Sequence, residues 1–368
     1  MRQIKRESNF ELLRIIAMVM IVSHHLVNHG LFNNILTQNY GNLWAEGNLS
    51  NQIAACLFYP GGEVGVAVFF MLTGYFLCEK KQGSIKKIWL EVQTYGLLMV
   101  LFYLISNIIG FKYIGISQEA IFKNMLSYVL LPQMSGVWWF VTAYIMLILF
   151  LPILYNVEIK LNKKGWICFI GCSWFFFYAL SGYLYTKQYD LQIAITYFLI
   201  GAYIKKYCKN ERSNKLYNIL FLVIAWTGYS YGIYLTSGGT NTLIPLSIIR
   251  LWPVIKYIFI TLGSISLFLM FKQLKICSGM INYISATTFG VYLLHDNIFA
   301  RQWIWNGILN IPEMYKENYF AIKVLLWTGI VFGVCAVLDR FRIQWIEPKY
   351  MKVYDCIKAY VRKKFNDF

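Results

Sequence analysis

Ten apolar runs follow one another along the chain, at roughly 9–29, 57–78, 88–110, 136–155, 165–183, 190–206, 216–236, 251–271, 281–299 and 319–339. Most approach the ~20 residues that a helix needs to cross about 30 Å of hydrocarbon. Charged residues collect in the short stretches between them. Trp and Tyr gather near the run ends, where a bilayer meets water. The pattern predicts an all-α polytopic membrane protein with about ten transmembrane helices. A weaker apolar segment at 116–131 predicts a short helix lying at the interface.

Composition sharpens this picture. Of the 368 residues, 58% are hydrophobic and only 14% charged, against about 25% charged in a soluble domain. No stretch between runs is long enough to fold alone. Residues 1–345 therefore read as one transmembrane unit, followed by a basic cytoplasmic tail at 346–368. The first run carries Arg14, Ser23, His24 and His25, and no small-residue cleavage site follows, so a cleavable signal is not expected here.

The formal charge of +17 would suggest a nucleic-acid partner in a soluble protein. Here the basic residues fix topology instead. With the N-terminus inside, 25 of the 34 Lys and Arg fall in inside segments and 7 outside, with Arg14 and Lys256 inside spans. Both termini are therefore expected in the cytoplasm, with no nucleic acid bound. The stretch from Gly30 to Ala55 has no Lys or Arg, as expected outside. The eight Cys include no CxxC pair, so neither a zinc site nor a disulfide framework is expected; Cys168 and Cys172 read as packing residues.

Ionisable groups within spans are costly unless they serve a site or meet a partner. Arg14 and His25 lie eleven residues apart, hence on one helix face and about 16 Å apart along the axis. A cation at the cytoplasmic mouth suits an anionic ligand, and a deeper histidine suits a general base. The bland readings are a snorkelling Arg and a core His bonded to a neighbouring helix. In the second span Gly65 and Gly74 allow close helix approach, and Glu63 precedes them. Trp138 and Trp139 open the fourth span, either as a membrane anchor or as a stacking platform for a sugar. The ninth span ends on His295, Asp296 and Asn297, with Arg301 one turn on. That group can hold a hydroxylated ligand, or simply end a helix in water.

Arg14-x10-His25, the run Val68–Phe76, the segment Trp138-Trp139-Phe140-Val141-Thr142-Ala143-Tyr144 and the segment Thr287–Asn297 occur in this order. Together they resemble the acyltransferase-3 family, bacterial integral membrane O-acyltransferases, over roughly 8–340. The resemblance implies a multi-pass protein of the bacterial cytoplasmic membrane. It implies transfer of an acyl group, acetyl being the commonest, from acyl-CoA to a hydroxyl of a surface polysaccharide or lipid-linked glycan. Acyl-CoA is then a donor substrate, no cofactor is permanently bound, and polysaccharide biosynthesis machinery is a possible partner. The family's first-helix Arg and His map onto Arg14 and His25. Where many members carry an Arg-rich motif this chain has Lys86-Lys87, which keeps charge without guanidinium geometry. Expected roles are His25 as base, Arg14, Lys86 and Lys87 on the donor's phosphates, and Glu63, Trp139, Tyr144, His295 and Asn297 around the acceptor. No metal is expected, because a thioester is already activated. A rival class, a transporter or flippase of a glycan intermediate, would want a continuous polar path and broken helices.

Overall fold

The computed structural model describes residues 7–33, 40–113, 118–180, 190–208, 213–237 and 246–366. Arg2, Lys5, Arg6, Lys187, Lys209 and Arg212, and the end of the fifth apolar run at 181–183, lie outside the described residues. Among the described residues the regular structure is helical, with no strand.

Each predicted span contains helix. These are α1 (Ser8–Val27), α2 (Gly61–Leu77), α3 (Lys86–Ile108), α4 (Trp139–Glu158), α5 (Lys163–Trp174), α6 (Asp190–Tyr207), α7 (Lys215–Thr236), α8 (Leu246–Lys272), a broken ninth, and α10 (Phe320–Phe341). The ninth is split into Gly279–Ser285 and Thr288–His295, the latter called α9. Seven helices among the described residues are long and apolar enough to cross a membrane by length and composition. The other three fall short for visible reasons. The fifth passes into π-helical turns at Phe175–Leu180. The sixth carries Asp190, Lys205 and Lys206 at its ends. The ninth breaks at Ala286–Thr287.

Outward faces carry Leu101, Ile105, Leu149, Ile153, Leu325 and Val337, all exposed. Such a belt suits lipid, not water. Cys168 and Cys172 sit on such an exposed surface and not in packing, contrary to the sequence expectation. The expected interfacial segment forms a helix at Gln118–Leu130. The stretch after α1 is more helical than expected, with Tyr40–Glu46 and Leu49–Phe58 preceding a bend at Tyr59–Pro60. The tail is also helical. A π-helical turn at Arg342–Ile346 carries α10 into α11 (Glu347–Asn366).

Helix α1 is central, packing on α2, the two pieces of the ninth helix and α10. Helix α2 packs most extensively on α6. There two glycines bring the backbones together: a Cβ on Gly74 would stand 2.0 Å from the Phe198 carbonyl oxygen, and one on Gly201 would stand 1.9 Å from that of Met71. Neither backbone oxygen can swing aside. Gly201→Ala is therefore expected to force α2 and α6 apart and to cost about 1–3 kcal/mol or more. A lower melting midpoint in detergent, read by fluorescence-detected gel filtration, checks this; an unchanged midpoint contradicts it.

Candidate active site

One cavity of about 710 Å³ runs beside α1, within the usual range of ligand pockets, about 300–1,000 Å³. Helix α1 and the π-helical turn that continues it line the cavity from Glu11 to His29, about 27 Å at 1.5 Å per residue. Arg14, Glu11, Lys87, Glu91 and Ser285 mark one end. His25, His29, Asp296 and Arg301 mark the other. A side wall carries Tyr59, Glu63, Tyr178, Tyr197 and Tyr257.

At the first end Arg14 stands 3.6 Å from Glu11, whose carboxylate also accepts a hydrogen bond from Ser285. Lys87 reaches the cavity but is paired with Glu347 of α11 at 2.7 Å. Lys86 does not line it. Its Nζ sits 2.5 Å from Asp355 Oδ1 and 4.1 Å from the Tyr354 ring centre, both on α11. Two of the three expected phosphate-binding cations thus meet acids of the tail.

At the second end His25 is held through His295. The Nδ1 of His295 is 2.6 Å from the Val291 carbonyl oxygen, which can only accept, so this nitrogen carries the proton. In the neutral ring the Nε2 of His295 is then an acceptor. His25 Nδ1, at 2.9 Å, donates to it. The lone pair of His25 therefore lies on Nε2, with His25 itself in the cavity wall. Asp296, almost fully buried, gathers three positive or potentially positive groups: Arg301 Nε at 2.8 Å, and His25 Nδ1 and His29 Nε2 each at 3.4 Å. It can balance the charge His25 gains on taking a proton, as the carboxylate of a Ser-His-Asp triad does.

The expected acceptor residues divide. Glu63, Trp139 and Tyr144 line the cavity. Trp138 beside them is buried, so only the second Trp of the pair faces the cavity. Glu63 meets a cation, Lys256, at 3.6 Å, and its Oε2 is buried without a hydrogen-bond partner. His295 stands behind His25 and not in the wall. Asn297 spends its side chain on backbone, accepting from Phe299 and Ala300 and donating to Leu294. It shapes the turn that presents Asp296 and Arg301. His24, next to His25 in the chain, contacts the Tyr59 carbonyl at 2.5 Å. His29 escaped the sequence reading, although its i, i+4 spacing from His25 was a usable signal.

The model of the acyltransferase-3 family, described as an acyltransferase domain, matches residues 7–340. The chain belongs to the acyltransferase-3 family. The matched stretch contains every cavity residue named above and stops just before Arg342. No curated protein and no solved structure matches the chain. This acyltransferase therefore carries Arg14, His25 and their surroundings within the family domain, while the tail helix that engages Lys86 and Lys87 lies beyond it.

Proposed function

We propose that this acyltransferase moves an acyl group, most simply acetyl, from acyl-CoA to a sugar hydroxyl of a surface polysaccharide or lipid-linked glycan at a bacterial cytoplasmic membrane. The carrying observation is that one and the same cavity has Arg14 and Lys87 at one end and the Nε2 lone pair of His25 toward the other. The charged nucleotide of the donor stays at this end, facing the cytoplasm, where its phosphates compete with Glu11 for Arg14 and with Glu347 for Lys87. Its pantetheine arm extends along α1, about 16 Å from Arg14 to His25. The acceptor sits among Trp139, Tyr144 and the tyrosines around Glu63, where ring faces stack on a sugar and hydroxyls bond its edges.

The chemistry then needs one proton carrier. His25 Nε2 takes the acceptor hydroxyl proton as the oxygen attacks the thioester carbonyl. The C–S bond breaks, an ester forms, and the imidazolium returns the proton to the departing CoA thiolate. His295 positions the ring through Nδ1, and Asp296 offsets its transient charge.

Membranes containing the protein, given labelled acetyl-CoA and extracted glycan, should transfer label to an alkali-labile ester. Failure with every acyl-CoA and glycan tried would sink the proposal. The donor end has its own test. A charge-assisted hydrogen bond is worth about 1.5–3 kcal/mol, so Arg14→Gln should raise the KM for acyl-CoA by roughly ten- to a hundredfold with a smaller change in kcat. An unchanged KM would remove Arg14 from the phosphates.

A further inference from the structure

The geometry points to a transition-metal site at the same end of the cavity, formed by His25, His29 and Asp296, whose occupation by Zn²⁺ silences the transferase. The silencing half rests on His25 being the base; the binding half does not.

The ligand atoms of these three side chains all lie within 4.8 Å of one another. Asp296 Oδ1 is 3.4 Å from both His25 Nδ1 and His29 Nε2. Tetrahedral zinc, with bonds of about 2.0–2.1 Å, requires ligands about 3.4 Å apart. The two histidines are four residues apart along α1 and its π-helical continuation, the spacing by which one helix offers two imidazoles to one ion. His295 stands outside this set: its Nε2 accepts from His25 Nδ1 at 2.9 Å, a bond that coordination at that nitrogen replaces, while its own Nδ1–H stays on the Val291 carbonyl. An imidazole-rich set favours Zn²⁺ over Mg²⁺ or Ca²⁺.

Arg301 opposes the ion. Its Nε holds Asp296 Oδ1 at 2.8 Å. A carboxylate oxygen has a second lone pair, so Arg301 and an ion can share Asp296, at a cost in affinity. The ion is therefore exchangeable and serves as an inhibitor, not as a resident part. This leaves intact the expectation that acyl transfer itself needs no metal.

Silencing follows from the ring. Coordination at Nδ1 uses the nitrogen that otherwise donates to His295. In a neutral imidazole the proton must then sit on Nε2. The His25 proton moves from one nitrogen to the other, none is released, and the lone pair that takes the acceptor's proton is gone.

The test uses the full-length protein in detergent. Competition with a chromophoric chelator should show one Zn²⁺ per chain. His29→Gln should weaken it by about tenfold or more, and Asp296→Asn should do likewise. Acyl transfer should fall as Zn²⁺ is added and recover with chelator, while Mg²⁺ does nothing. In His29→Gln the half-inhibiting Zn²⁺ concentration should rise by the same factor as Kd. Zinc binding indifferent to both substitutions overturns the site. Binding that depends on His29 with activity unchanged overturns the silencing. If the metal-free protein transfers no acyl group, the reading of His25 as base fails and silencing with it, while chelator competition still decides the site.

Discussion

Replacing His25 by alanine will lower acyl transfer by about 10²–10⁴-fold while leaving the protein in the membrane at normal abundance. The abundance claim rests on what His25 touches. It is half-buried beside a cavity, and its side-chain hydrogen bond goes to His295, whose Nδ1 stays bonded to Val291 when the partner is removed. The activity claim rests on its position. It presents an unprotonated Nε2, with Asp296 3.4 Å behind its other nitrogen. Rates are to be measured at saturating acyl-CoA and normalised to protein recovered by gel filtration. A His25→Ala protein acylating glycan at more than about a tenth of the normal rate would place the base elsewhere. His295→Gln supplies the contrast. Because His295 acts through His25, its loss should lower kcat with little change in KM for acyl-CoA, the pattern of a positioning residue.

The pairing of Arg14 with His25 was legible in the sequence because a helix has fixed geometry. Eleven residues return to nearly the same face, and both side chains do line one cavity. The close approach around Gly74 was legible for a similar reason, since a glycine in a span is seldom idle. The break in the ninth helix at Ala286–Thr287 was not, because Ser285, Thr287 and Thr288 are residue types that an unbroken span also tolerates and no Pro marks the place. The partners of Lys86 and Lys87 were hidden too. Glu347 and Asp355 lie more than 250 positions away in a segment that composition marks only as basic. Asn297 misleads in the opposite direction. Its place in a polar triplet suggests ligand contact, but a turn there needs a cap, and backbone N–H groups take up its carbonyl oxygen. Arg342 is the sharpest case. Counted by position it is one more inside-facing charge, yet it is among the most buried side chains in the molecule.

Arg342→Ala is therefore expected to destabilise the protein by about 3–5 kcal/mol, the cost of stranding buried charge. The guanidinium holds three carboxylates at once: Asp339 at 2.6 Å through Nε, Glu91 at 2.8 Å and Glu347 at 3.0 Å through the two terminal nitrogens, with the Tyr350 hydroxyl at 2.8 Å. Tyr95 donates to Asp339 from α3 at 2.6 Å. The Asp339 carboxylate in turn fills the space a side chain at Gly290 would need, so α9 packs on the charged group itself. Without the arginine, three acids from α3, α10 and α11 face one another with little water between them. A stability of about 5–15 kcal/mol leaves small margin for such a loss, and the variant should melt far below the parent in detergent. Arg342→Lys should fall between, because an ammonium keeps the charge but lacks the planar fork that spans several acceptors. Glu91→Gln added to Arg342→Ala should recover part of the loss, since it removes one stranded charge. Equal melting of parent and Arg342→Ala would mean that the cluster contributes nothing. Glu91 lines the cavity and Glu347 also binds Lys87, so the same cluster holds in place the end of the cavity proposed for the donor. Loosening it should raise the KM for acyl-CoA in any variant that survives, before the chemistry at His25 changes.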